Sequence, residues 1–155
     1  MTEATTKKKL GQLTKDGIYI GRFKDKDGAV KDWFADVEDA RDASGKKLLM
    51  NFNDAAKYAD NSRILGHKDW VLPSGWNDPD GKPDILGAMF NSKSIGAFKG
   101  KFDGTGSFPG SWYWTSSQDG DSGTYAKIQR FSDGIHDPGF KPDALSVRLV
   151  RSVAV

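Results

Sequence analysis

The sequence predicts a single α+β domain in which antiparallel strands are flanked by two helices and joined by long loops. Three observations carry that prediction. The last third of the chain, Trp112 to Arg151, holds three β-type runs parted by turns rich in Gly, Asp and Pro. Two central stretches, Asn51–Asp60 and Pro83–Asn91, have the cap residues and apolar spacing of helices. Near the start, Gly17-Ile18-Tyr19-Ile20-Gly21-Arg22-Phe23 is a β-rich run bounded by glycine. A chain of 155 residues is long enough for one domain with its own core.

Residues 1–15 are polar and lysine-bearing, which predicts a flexible arm ahead of a domain over 16–155. Lys7-Lys8-Lys9 serves solubility in this reading. Gly17–Phe23 is the first strand, Lys24–Gly28 a turn, and Val30–Phe34 a second strand closing a hairpin. The acidic stretch Asp32–Asp42 reads as weakly helical and ends at Gly45. Leu48-Leu49-Met50 is a short apolar run suited to pairing with a neighbour.

Asn51 or Asn53 caps the first helix, and Asp54 complements its positive end. Ala55, Ala56, Tyr58 and Ala59 give it a small, close-packing face. Gly66–Pro73 reads as a turn and a brief strand, and Ser74–Lys82 as a loop. The second helix starts near Pro83, ends at Asn91 or Gly96, and gathers Ile85, Leu86, Met89 and Phe90 on one face. Lys93–Ser111, with Phe98, Phe102 and Phe108, reads as a long loop of little internal structure.

The strands of the last third are Trp112–Ser117, Tyr125–Phe131 and Leu145–Arg151. Asp119-Gly120 and Asp133-Gly134 are hairpin signals between such runs. On the second run, Ala126 and Ile128 face inward while Tyr125, Lys127 and Gln129 face outward, and Phe131 breaks the alternation at a bulge.

Composition excludes several kinds of chemistry. There is no cysteine, so disulfides, thiol nucleophiles and thiolate metal sites are out. His67 and His136 are the only histidines, too few for a histidine-rich metal centre. The net charge of +2 comes from 23 basic and 21 acidic residues mixed along the chain, which argues against a nucleic-acid partner. No run of about 18 apolar residues exists, so no membrane insertion is expected. Nor does an apolar segment of about 7–15 residues follow the N-terminal charges, so no signal peptide is expected.

From Asn51 onward four motifs stand in order: Gly66-His67-Lys68-Asp69-Trp70-Val71-Leu72-Pro73, Tyr113-Trp114-Thr115-Ser116-Ser117, Phe131-Ser132-Asp133-Gly134 and Val147-Arg148-Leu149-Val150-Arg151. Together they resemble the Lcl C-terminal domain family of bacterial and phage proteins, whose signature reads GHxDWRLP, YWSS, FSDG and VRxVR. The chain departs from it at Val71, where the family has Arg, and in the longer loop Ser74–Lys82. Phe131–Lys141 also lacks the dense asparagines of diversified phage receptor-binding proteins. The resemblance implies a C-type-lectin-like fold, with Ile18–Phe23 paired to Val147–Ser152 and loops gathered on the side away from the termini. It also implies that Trp70 and Trp114 are structural, and that Arg148 and Arg151 hold the fold through ion pairs.

That fold houses catalysts as well as adhesins, but its formylglycine-generating members need cysteines and its iron enzymes need a histidine cluster. Ser116, Ser117, Asp119 and His136 lack the glycine-framed nucleophile of a hydrolase. Trp76-Asn77-Asp78 copies a tripeptide of calcium-dependent lectins but stands too early in the chain for that role. Asp78, Asp80 and Asp84 alternate in a glycine loop, yet Met89 stands where an EF-hand requires Glu, so the loop reads as a solvated turn. No cofactor and no metal are expected.

The candidate contact residues are Trp112, Tyr125, Lys127, Gln129, His136 and Lys141, with Trp76 also beside a loop. Aromatic rings, an amide and few charges suit an adaptable contact surface. The expected function is non-catalytic recognition of a glycan or protein on a cell surface, in a phage, virion or injection particle. Other particle subunits and a second copy of the chain complete the set of expected partners. Two alternatives stand beside this: a virion decoration or connector subunit, and an intracellular enzyme.

Overall fold

The computed structural model describes residues 8–155. Strands β1 (Leu13–Thr14), β2 (Gly17–Lys24) and β3 (Val30–Ala35) precede helix α1 (Phe52–Asn61) and helix α2 (Ile85–Asn91). Strands β4 (Trp112–Asp119), β5 (Tyr125–Arg130), β6 (His136–Phe140) and β7 (Val150–Ala154) follow. They form two antiparallel sheets, β1-β2-β3-β7 and β4-β5-β6, in a small α+β domain. Among the described residues no helix is long and apolar enough to cross a membrane.

The local chemistry expected of the early elements is present. The hairpin β2–β3 turns at Asp25, whose carboxylate accepts from the amides of Asp27 and Ala29. Asn51 caps α1 by accepting from the Asp54 amide. The cap of α2 is Asp84, which accepts from the Gly87 amide, so the helix begins two residues after the proline expected to open it.

Several expectations need correction. Asp32–Asp42 is no helix: its first residues belong to β3 and the rest is irregular, because Ala40 N donates to Val147 O and Asp36 N to Leu149 O. Gly66–Pro73 contributes one bridge, Val71 to Val150, rather than a strand. His136–Phe140 is a strand that its sequence conceals, since Pro138 and Gly139 disguise it. Proline is tolerated because β6 is an edge strand. Glycine is required because a Cβ at Gly139 would stand 2.5 Å from Ile128 Cγ2 and 2.8 Å from the Trp114 ring.

The flexible arm expected over 1–15 is only partly described. Residues 1–7 lie outside the described part, but 8–15 are tied down. Gly11 N donates to Tyr19 O, Ala97 N donates to Gly11 O, and Leu13 pairs with Ile18. The long loop after α2 is anchored as well, since Phe98 is fully buried and Tyr113 Oη accepts from Asp103 N.

The terminal strands do share one sheet, though not as neighbours. β3 lies between them, pairing Tyr19 on one side and Arg151 on the other through Phe34. The expected third run, Leu145–Arg151, is a strand only from Val150. Before that, each residue of Leu145–Leu149 is buried, and the segment bonds to several separate parts of the chain. Leu145 bridges Met50, Ser146 bridges Tyr113, Val147 accepts from Ala40, and Leu149 from Asp36.

This central segment divides the core. On one side α1 packs on β4–β5 with Trp70, Trp114, Ile128, Leu145 and Leu149. On the other α2 packs on the terminal sheet with Ile20, Leu86, Met89, Tyr113 and Phe131. Trp70 and Trp114 are core residues, and each indole donates to a carbonyl, of Ile64 and Met50 respectively.

The two arginines behave as ion-pair residues. Arg151 donates to both Asp69 oxygens and to Asp16. Arg148 is wholly buried, paired with Asp39 at 2.9 Å and bonded to the carbonyls of Asp36 and Lys101. Its guanidinium carbon lies 4.0 Å from the Phe102 ring centroid. Tyr113 Oη donates to the same Asp39, and burial, followed by that carboxylate, pushes the phenol well above its usual range. Replacing Arg148 by Ala removes one partner of this buried ion pair and leaves the carbonyls of Asp36 and Lys101 without their donor, so a loss of about 3–5 kcal/mol in denaturant unfolding is expected.

A second prediction concerns acid. The hydrogen bond from Arg151 holds Asp69 below the usual carboxylate range. Asp16 is lowered too: burial opposes this, but the bond from the same arginine leads the effects that outweigh it. Groups lowered in the folded state stabilise it above their unfolded value of about 3.9 and lose that contribution as pH falls through the folded value. Stability should therefore decline below about pH 4, and Asp69→Asn should flatten the decline in melting temperature measured against pH.

Candidate functional site

The expected contact residues divide: Trp112 and Gln129 are buried, Lys127 and Lys141 half-buried, and Tyr125 and His136 exposed. Trp112 is 8% exposed and packs in the core beneath the Arg130 guanidinium, so its ring is not free for stacking. Gln129 is 4% exposed, with its amide donating to the Gly134 carbonyl. Alternation places it outward, but the chain folds over that face. Tyr125 does remain open, its ring 5.9 Å from that of Phe140 across the β5–β6 pair.

What covers the sheet is the loop from Ser74 to Asp84. The Trp76 indole stacks on the His136 imidazole with centroids 3.9 Å apart and planes 5° from parallel. Lys127 Nζ lies 4.9 Å from the Trp76 ring centroid and donates to Asn77 O. Ser117 Oγ donates to Asp78 and accepts from Gly75 N. Gly75 sits so near Thr115 that a Cβ would stand 2.7 Å from its methyl.

The acidic residues of that loop are used internally. Asp78 accepts from the amides of Asp80 and Lys82 as well as from Ser117, and these bonds lower it against the opposing effect of burial. Asp84 caps α2, and burial raises it above the usual range. Lys127 thus props the loop, while His136 stacks on Trp76 and stays exposed.

The other side of the propped loop opens on a cleft of about 510 Å³. Its walls are the half-buried Trp33 of β3 and Phe52 of α1, with Ala56, Ala59, Val71 and Pro83 between them. Lys141 Nζ lies 4.6 Å from the Phe52 ring centroid, so this expected contact residue stands at the wall of the cleft. Polar groups face the same space: Asp25, Lys31, Asp60, Lys82, Ser116 and Ser152. Within the described residues, all of these but Asp25 have side chains without a hydrogen-bond or ion-pair partner. Asp69, also on the rim, is committed to Arg151.

A volume of this size, mostly apolar with a few polar groups, has the make-up of a ligand site. A second depression of about 420 Å³ near Arg41 and Asp103 is lined by charges that largely pair with one another. No histidine lines the larger cleft: His67 contacts Lys15 O and Asp16, and His136 stacks on Trp76.

The cleft is not legible in the sequence because its lining comes from the β2–β3 turn, α1, two loops and two sheets. The one usable signal is the alanine-rich face of α1. Ala55 and Ala59 are buried as expected, while Ala56 leaves space rather than filling it. The chain matches no family model, and no curated protein matches it.

The props have a measurable consequence. Trp76→Ala removes the stacked ring, so amides of residues 75–82 should exchange with solvent at least about tenfold faster by hydrogen exchange, with global stability little changed.

Proposed function

We propose that this chain is a non-catalytic recognition module of C-type-lectin-like fold, and that the cleft between α1 and the terminal sheet is its binding site. The observation that carries the proposal is the cleft itself: two aromatic walls and unpaired polar groups of both signs in about 510 Å³. Aromatic walls give contact area at low entropic cost, and the free polar groups orient what enters.

The same lining argues for binding over turnover. General acid–base work needs a group poised near the operating pH. The hydrogen bond from Arg151 keeps Asp69 ionised, the histidines lie elsewhere, and among the described residues no hydrogen bond joins a cleft serine to a basic group. The resemblance to Lcl proteins supports a partner that is a glycan or protein on a cell surface, met by a phage or injection particle carrying several copies. Multiple copies raise avidity where each contact is weak.

Filling the cleft tests this reading. Ala56 is half-buried and faces the cleft, so Ala56→Trp occupies the space without disturbing the buried Ala55 or Ala59. The variant should keep its melting temperature within a few degrees and lose attachment to bacterial cells in a sedimentation assay. Attachment equal to the parent's would move the site elsewhere and favour a structural role in the particle.

A further inference from the structure

The cleft is polarised along α1. Phe52 opens the helix and Asp60 stands in its last turn, about 12 Å further on at 1.5 Å per residue. At the Phe52 end lie Trp114, whose ring meets Phe52 edge-on at 5.6 Å, and Ser116, whose amide donates to Pro73 O. Ser74 Oγ donates to Pro83 O, so Lys82 is held at this same end. A Cβ on Gly81 would touch the Lys26 side chain, so the loop carrying Lys82 reaches the β2–β3 turn, beyond which Lys31 stands.

The opposite end is acidic. Asp60 adds its charge to the negative end of the helix, whose last turn holds no basic side chain. Asp69 stands nearby, bonded to Arg151, the residue that precedes Ser152 in β7. One end therefore offers the ammonium groups of Lys82 and Lys31, near Asp25, whose carboxylate is engaged by the amides of its own turn. The other offers the Asp60 carboxylate. Lys82, Lys31 and Asp60 have no side-chain partner among the described residues, and Trp33 and apolar side chains lie along the way.

Resting on the cleft being the recognition site, we propose that its occupant is an extended segment of a partner polypeptide, three to four residues long. The segment has a basic side chain at one end and an acidic one at the other. An extended chain advances roughly 3.3 Å per residue, so three steps and the two terminal side chains span the distance between Asp60 and the Lys82 end. The basic group is placed against Asp60, with the Trp33 face available to it, and the acidic group against Lys82. Ser116 and Ser152 are free to bond the peptide backbone between them. A neutral saccharide satisfies neither charge, which is why charge complementarity selects a peptide.

The probe is a tetrapeptide blocked at both ends, with lysine first, glutamate last and two alanines between. Its binding is followed by shifts of the Trp33 indole resonance. Saturable shifts are expected, with affinity roughly threefold to fivefold weaker in Asp60→Asn and in Lys82→Gln. Blocked peptides carrying two lysines or two glutamates should bind more weakly than the mixed one. Both positions are exposed, so the variants should melt like the parent. Equal binding of the like-charged peptides, or parental affinity in both variants, overturns the proposal. Binding of maltotriose without binding of the peptides overturns it too, while leaving the cleft as the recognition site. If no probe binds, the peptide assignment fails, and the recognition reading is decided by cell attachment of Ala56→Trp alone.

Discussion

A buried guanidinium sets the constraint on which the rest of this fold depends. Arg148 lies within the segment Leu145–Leu149, whose backbone groups are shared among separate parts of the chain. A buried amide or carbonyl without a partner is costly, and so is a buried charge without a counter-charge. The segments around Ala40, Met50 and Tyr113 must therefore arrive together for the centre to be satisfied. Asp39 is the meeting point, taking bonds from Arg148 and Tyr113 and pairing with Lys47. This arrangement explains why the central segment looks like a strand in sequence yet belongs to no ladder until Val150.

Alternation in a sequence tells which residues share a face and is silent on whether another layer covers that face. That limit accounts for both what is legible here and what is not. β2, β3 and β5 are legible because glycine and aspartate turns bound them, and α1 because Asn51 is a strong cap. The pair Ala126 and Ile128 points inward as alternation requires, and Trp70 and Trp114 are core. Trp112 and Gln129 read as open because nothing local reveals that Arg130 covers one and the 130–134 turn engages the other. β6 is hidden by Pro138 and Gly139, residues that usually end strands and here suit an edge strand crossing the Trp114 ring.

The candidate site shows the same division more sharply. Lys127, His136 and Lys141 stand out in the sequence for their chemistry, but none of them lines the cleft. Their work is to hold Trp76, Asn77 and Phe52. The residues that face the space, among them Trp33, Asp60 and Lys82, come from segments whose proximity exists only after folding.

The cleft owes its room to Ala56, a side chain that stops at one carbon, on a helix whose packing is secured by Ala55 and Ala59 instead. The shape of the cleft is thereby uncoupled from foldability. Substitutions at position 56 can narrow, deepen or recharge the opening while the buried framework stays indifferent to them. A descendant of this chain can reshape the cleft by drift at one helical position, without passing through an unstable intermediate.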